Sequence, residues 1–335
     1  MDRTTFFPDA LLAKLTACRV DDPQRALRAA QLRQRRKKLA PHGRLNLLAA
    51  DHPARRVTSA ANHPLAMADR GDYLARILRV LLSGLVDGVM ATMDILEDLL
   101  VVDDLLRKAD IPPLLDGKLL IASLNRGGLA GACWEMDDPQ TGATPVACAA
   151  WGLDGGKLLL RLCDQDAGSL RTLEACARAI TEMNALGLPV FLEPLPAVKT
   201  DTGFKVVKTA EALAKTAGVA SALGDSSRYL WLKLPYCEDY ATVARATTLP
   251  ILLLGGESAG DATPFLRQLE AGLGAGTNVR GALVGRNVLY PGDEDPLVAA
   301  EAAGGIVHRG WTAEQSLEQA AAQRGRDIDF FRRIL

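Results

Sequence analysis

Histidine is scarce in this chain. His42, His52, His63 and His308 are the four among 335 residues, and none stands in His-x-His or His-Glu-x-x-His spacing. Zinc-dependent chemistry has little to build on, so a metal-free mechanism is favoured. The six cysteines (Cys18, Cys133, Cys148, Cys163, Cys176, Cys237) include no Cys-x-x-Cys pair. They read as reduced packing residues rather than a disulfide frame. No run reaches the roughly 18 uncharged apolar residues that span a bilayer, and the opening Met1-Asp-Arg-Thr-Thr-Phe-Phe-Pro8 lacks a charged region followed by an apolar secretory core. No membrane partner and a cytoplasmic location are expected. Neither charge sign dominates: the net charge is -1, which gives no global pointer to nucleic acid. Short-period repeats and low-complexity tracts are missing as well.

What is present is apolar and periodic. Hydrophobic residues make up 48% of the chain. Strand-like runs at 44–51, 88–92, 118–124, 156–162, 189–193, 229–233, 250–256 and 281–285 alternate with longer helical patterns. One such pattern, 169–186, gathers Leu170, Leu173, Cys176, Ala177, Ile180 and Met183 on one face. Eight strand–helix units in roughly 250 residues is the count and length of an α/β protein of the (β/α)8 TIM barrel class. The expected organisation is an N-terminal helical extension over 1–43 and a barrel catalytic domain over 44–335. Within the extension a basic helix is predicted over 22–40, carrying Arg25, Arg28, Arg33, Arg35, Arg36, Lys37 and Lys38. It reads either as a grip for phosphates or an acidic partner, or as a solvated face packed on the barrel or on a second subunit. The segment 137–145 reads as a rim loop, placed as a lid or as a plain surface excursion.

One ammonium group stands inside an apolar run: Lys233, in Arg228-Tyr-Leu-Trp-Leu-Lys-Leu-Pro-Tyr236. Burial disfavours the charged form of an amine, and a neutral amine near pH 7 is what attack on a carbonyl requires. The alternative is a lysine whose stem packs on apolar neighbours while its head reaches solvent. Active sites in barrels gather at the carboxyl ends of the strands. Asp51, Glu193 and Lys233 end the first, fifth and sixth runs, and the even spacing of Lys157 and Arg161 puts both on one face of the fourth.

Each residue type has a role in carbon–carbon bond cleavage through an imine. Lys233 is the nucleophile, Lys157 a second cation that depresses it, Glu193 a proton carrier and Asp51 the acceptor of the hydroxyl proton. Glu193 and Lys157 read equally as a mutual ion pair. After the last two runs, Leu254-Gly-Gly-Glu-Ser258 and Val284-Gly-Arg-Asn287 are glycine-containing turns of the kind that bind phosphate through backbone N–H groups. A phosphorylated substrate is implied.

Ala50-Asp51-His52, Phe191-Leu-Glu-Pro194, Lys233-Leu-Pro235, Gly255-Gly256 and Gly285-Arg-Asn287 together resemble the metal-free class I (Schiff-base) aldolase superfamily. That superfamily includes tagatose-bisphosphate aldolase, archaeal-type fructose-bisphosphate aldolase and deoxyribose-phosphate aldolase. The resemblance covers about 44–300. It implies an imine at Lys233, assistance from Glu193, Lys157 and Asp51, and phosphate binding by Gly256, Ser258, Gly285 and Arg286; Arg161, from its place on the fourth run, and Gly255, from its turn, are further candidate substrate contacts. No cofactor is implied beyond the covalent imine, and no metal. The partners implied are a phosphorylated small molecule and a second copy of the chain in a homo-oligomer. Two departures stand out. Archaeal fructose-type enzymes carry tyrosine where Glu193 stands, and deoxyribose-phosphate aldolases carry a further lysine where this chain has Ile251-Leu-Leu-Leu254. The chain looks most like a bacterial branch associated with sugar or inositol breakdown, with 5-dehydro-2-deoxyphosphogluconate as a candidate substrate. A transaldolase using the same lysine and a non-catalytic phosphosugar-binding barrel are the rival readings.

Overall fold

Side chains alternate across a strand, so a run that is apolar at every position must be buried on both faces. The computed structural model, which describes residues 2–334, places the eight runs accordingly. The strands are β1 (Leu45–Ala50), β2 (Gly88–Ala91), β3 (Leu119–Ser123), β4 (Gly155–Leu162), β5 (Val190–Thr200), β6 (Gly203–Val206), β7 (Leu230–Pro235), β8 (Ile251–Leu254) and β9 (Val279–Val284). All but β6 pair in parallel in the order β1-β2-β3-β4-β5-β7-β8-β9, and β9 returns to β1 with Leu45 opposite Gly281. The sheet closes as an eight-stranded TIM barrel. Gly281 sits on the closing seam at φ +133°, where a Cβ would lie 1.9 Å from the Leu45 carbonyl oxygen, so only glycine lets β1 and β9 approach.

Alternate strand residues feed two cores. Leu45, Leu47, Met90, Ile121, Phe191, Leu252 and Leu283 fill the lumen, while Leu48, Val89, Leu120, Leu158, Leu192 and Leu232 face the helices. The helical elements are α1 (Arg3–Phe6), α2 (Asp9–Asp21), α3 (Arg25–Leu32), α4 (Arg70–Leu81), α5 (Met93–Lys108), α6 (Pro145–Ala150) and α7 (Gly168–Ala185). They continue with α8 (Ala210–Ser221), α9 (Tyr240–Arg245), α10 (Thr263–Gly274), α11 (Arg286–Leu289), α12 (Pro296–Gly304) and α13 (Ala313–Ala320). On α7 the buried face runs through Thr172, Cys176, Ala179, Ile180 and Met183, while Leu170, expected on it, is 61% exposed. Near the two chain ends, the Phe331 ring meets Phe6 edge-on at 5.1 Å and Phe7 at 6.3 Å.

The predicted basic helix over 22–40 is corrected by the structure. Only Arg25–Leu32 is helical, and α2, not anticipated, precedes it. The backbone leaves the helix at Arg33 (φ -63°, ψ 134°) because the arginines beyond it have partners beneath the barrel. Arg33 donates to the Lys118 and Gly152 carbonyls at 2.7 and 2.8 Å and to Asp154 at 2.8 Å, and Arg35 reaches the same carboxylate at 3.0 Å. Arg36 pairs with Asp87 at 2.8 Å. This segment is a strap across the amino-terminal end of the barrel, and Leu39 and Ala40 pack onto the foot of the lumen.

Two features shape the opposite end. The 137–145 segment is pinned: Asp138 is buried, accepts from Arg55 at 2.5 Å and from the Gly128 amide at 3.0 Å, and its own amide donates to Thr172 at 2.8 Å. The fifth strand does not stop at Glu193 but continues through Pro194 and Pro196 to Thr200, where it turns back and pairs antiparallel with β6. This hairpin stands above the mouth. Its Phe204 packs with Met136, Cys163 and Ala197.

Candidate active site

The inward alternation that builds the lumen also builds the site, because its uppermost layer is charged rather than apolar. Lys157 on β4 lies in register with Phe191 on β5, which pairs with Trp231 on β7; two residues further up, Glu193 and Lys233 point the same way. Asp51 follows the last residue of β1. A cavity of about 690 Å³ opens over them, lined by Asp51, Lys157, Glu193 and Lys233 together with His52, Arg126, Gly255, Gly256, Gly285 and Arg286.

One carboxylate oxygen organises the centre. Glu193 Oε2 accepts from Lys157 Nζ at 2.7 Å and from Lys233 Nζ at 3.0 Å. Both lysines are almost wholly buried, Lys157 at 1% exposure and Lys233 at 6%. Lys157 Nζ is also 3.7 Å from Asp51 Oδ2. Asp51 accepts from the Ser123 hydroxyl at 3.0 Å and pairs with the Arg126 guanidinium. The ion-pair reading and the catalytic reading of Glu193 thus rest on the same contacts.

These surroundings shift the proton equilibria. Burial lowers the Lys233 ammonium below the ordinary lysine range; Glu193 opposes that fall, and the cations of Arg126 and Arg286 add to it. Burial and Arg126 likewise push Lys157 well below its usual value. Burial alone would raise the Glu193 carboxyl, but two adjacent ammonium groups outweigh it and keep the group ionised. His52 is driven down to about 3, first by burial and then by Arg286 and Lys233, so it is a neutral imidazole. Among the described residues no group of three or more His, Cys, Asp or Glu is placed to hold a metal ion. No helix among them is long and apolar enough to cross a membrane.

The remaining expected site residues divide. Gly255, Gly256, Gly285 and Arg286 line the cavity. Gly256 adopts φ +71° with nothing but the Lys208 head, at 3.8 Å, near where its Cβ would sit. Gly285 has a packing reason to lack a side chain, since a Cβ there would lie 2.3 Å from His52 Cε1 and 2.5 Å from the Ala49 carbonyl oxygen. The side chains of Arg161 and Ser258 are engaged away from the lining. Arg161 binds Glu135 and the Gly128 carbonyl beneath the rim loop, and the Ser258 hydroxyl donates to the Tyr290 carbonyl at 2.7 Å. Arg126, Ser123, His52, Lys205 and Lys208 were not anticipated. A signal existed for Ser123, which lies within the third run and ends β3; the others lie on loops or on the hairpin, where no periodicity points.

Comparison with known proteins agrees with this architecture. The profile of the Cgl0159-like family matches residues 43–304. The crystal structure of Cgl0159 from Corynebacterium glutamicum is 36% identical, with a TM-score of 0.83 over 90% of this chain and 98% of that one. An archaeal fructose-1,6-bisphosphate aldolase, with its catalytic lysine covalently bound to the carbinolamine intermediate, is similar at 22% identity and TM-score 0.57, over 84% of this chain and 99% of that one. Fructose-bisphosphate aldolase from Slackia heliotrinireducens is similar at 17% identity and TM-score 0.61, over 97% and 96%. At these two lower identities the likeness is one of fold. No curated protein matches. With most of its length matched by the family profile and by a structure of that family, this chain belongs to the Cgl0159-like family.

Proposed function

We propose that the protein is a metal-independent class I aldolase, a lyase that cleaves or forms a carbon–carbon bond of a phosphorylated keto-sugar or keto-sugar acid through an imine at Lys233. The observation that carries this reading is the pair of buried lysines sharing one carboxylate oxygen at the mouth of a TIM-barrel cavity of substrate size. A binding protein gains nothing from depressing an amine by burial, whereas a nucleophile does.

In this reading neutral Lys233 attacks the substrate carbonyl carbon. Glu193 relays one amine proton to the carbonyl oxygen and delivers a second, taken up from solvent, so that the oxygen leaves as water and the protonated imine remains. Asp51, oriented by Ser123 and Arg126, takes the proton from the hydroxyl on the far side of the scissile bond. The bond's electron pair moves toward the iminium, an aldehyde is released, and the enamine left behind is protonated and hydrolysed. Lys157 donates to Glu193, holds that carboxylate in place and offers a further N–H to a substrate oxygen. The archaeal neighbour with a carbinolamine on its catalytic lysine supports the same chemistry on the same fold.

The turns after β8 and β9 and the Arg286 guanidinium are the proposed phosphate contacts. The carboxylate oxygen shared by both ammonium groups allows one alternative assignment, in which Lys157 is the nucleophile and Lys233 its assistant. Incubation with ketose phosphates and keto-acid phosphates, starting with 2-deoxy-5-keto-gluconate 6-phosphate, should release an aldehyde in a Lys233-dependent manner. Product analysis with an added acceptor aldehyde separates cleavage from transaldolase transfer. Absence of aldehyde release across the panel would count against the proposal.

A further inference from the structure

The charges around the cavity do not balance, and the surplus lies in one sector. Seven cationic side chains line it (Arg55, Arg126, Lys157, Lys205, Lys208, Lys233 and Arg286) against the acidic Asp51, Glu193 and Glu257. Four of the seven are engaged: Arg55 with Asp138, Arg126 with Asp51, and both Lys157 and Lys233 with Glu193. The side chains of Lys205 and Lys208 form no hydrogen bond or ion pair with any other described residue, and the buried Nε of Arg286 likewise has no partner. Three unengaged cations facing Glu257 leave a surplus of two positive charges, the complement of a phosphate monoester at neutral pH.

Geometry places that surplus over the β8 turn. The β5–β6 hairpin is held by Phe204 against Met136, Cys163 and Ala197, and by the Val207 amide donating to the Pro196 carbonyl at 2.9 Å. The chain returns from it with the Lys208 ammonium 3.8 Å from where a Cβ of Gly256 would be. Gly256 leaves open the space beneath that ammonium. We infer that this hairpin is the specificity element of the site: Lys205 and Lys208, with Arg286, hold the phosphoryl group of the substrate over Gly256 and select phosphorylated ketones over unphosphorylated ones. The inference rests on the reading of this cavity as an imine-forming site for a phosphorylated ketone.

Two probes test it, dihydroxyacetone phosphate and dihydroxyacetone, each trapped on the protein with borohydride, with the calorimetric binding of inorganic phosphate measured in parallel. The wild-type protein should be labelled at a lower concentration of the phosphorylated probe. In the Lys205→Ala/Lys208→Ala variant that preference and the affinity for inorganic phosphate should each fall by roughly tenfold or more, as expected for two lost charge-assisted contacts, while Lys205→Arg/Lys208→Arg keeps most of both. Unchanged preference and unchanged phosphate affinity in the alanine variant would overturn the hairpin assignment and leave the imine reading standing. If neither probe labels wild-type Lys233, the imine reading fails, and the phosphate titration alone decides the hairpin: a roughly tenfold loss of affinity supports it and no loss overturns it.

Discussion

The two ends of the barrel both bury charge, and they do so to opposite effect. Beneath the barrel every arginine of the strap has a definite partner: Arg33 and Arg35 divide the oxygens of Asp154, Arg36 takes Asp87, and the carbonyls of Lys118, Gly152, Leu153 and Gly117 accept further donors from them. Asp87 is further tied to His308 at 2.9 Å and to the Asn46 amide at 2.7 Å. At the mouth, two ammonium groups compete for one glutamate, and a guanidinium and a lysine crowd one aspartate. Satisfied buried charge fixes a structure, whereas buried charge with too few partners costs stability and is retained where chemistry needs it. The arginines of the densest basic stretch of the sequence are therefore architectural, and two single lysines on separate strands, Lys157 on β4 and Lys233 on β7, carry the proposed chemistry.

Substitutions at the two ends should separate these roles. The largest effect is expected at Lys233. Lys233→Ala leaves Glu193 paired with Lys157, so melting should show a folded protein, while turnover should fall by at least about 10⁴-fold. Glu193→Gln should lower kcat by roughly 10²–10⁴-fold with the fold intact; a drop in melting temperature at normal kcat would instead make Glu193 a structural partner only. At the foot of the barrel the pattern should invert. Asp154→Ala strands the buried Arg33 guanidinium, and chemical denaturation should show a loss of about 3–5 kcal/mol, with imine chemistry retained in the folded fraction.

The smallest effect is a shift in pH dependence. Because the folded protein lowers the Lys233 pKa, the neutral amine becomes available below the ordinary lysine value of about 10.4, and kcat/KM should rise with pH to a midpoint below that value. Arg126 contributes to the depression, so Arg126→Gln should move the midpoint upward. A midpoint at the ordinary lysine value in the wild type would erase the distinction drawn between the two ends.

How much of this was legible beforehand follows from periodicity. The barrel was readable because eight apolar runs recur with helices between them, and Asp51, Glu193 and Lys233 were readable because each interrupts or ends such a run. Lys157 was readable from its place inside one. Arg126 follows β3 on an aperiodic loop, and its contact with Asp51 reaches across β2 and exists only once β1, β2 and β3 curve round one barrel. The hairpin was hidden by Pro194 and Pro196, which read as the end of a strand because proline removes a ladder donor; β5 continues through both. The strap was misread as helix because 33–38 is rich in good helix formers, and propensity yields where side chains find buried partners. Arg161 shares the inward spacing of Lys157, yet the mouth has widened at its level and its guanidinium reaches sideways to Glu135.

The most direct test of the central claim is the site of covalent attachment. Borohydride reduction in the presence of a ketose phosphate, followed by intact mass and peptide mapping, should add one reduced substrate to the peptide containing Lys233 and inactivate the enzyme irreversibly. An adduct on the Lys157 peptide would exchange the roles of the two lysines. Turnover with no adduct on either, abolished by a chelator and restored by zinc, would contradict the account.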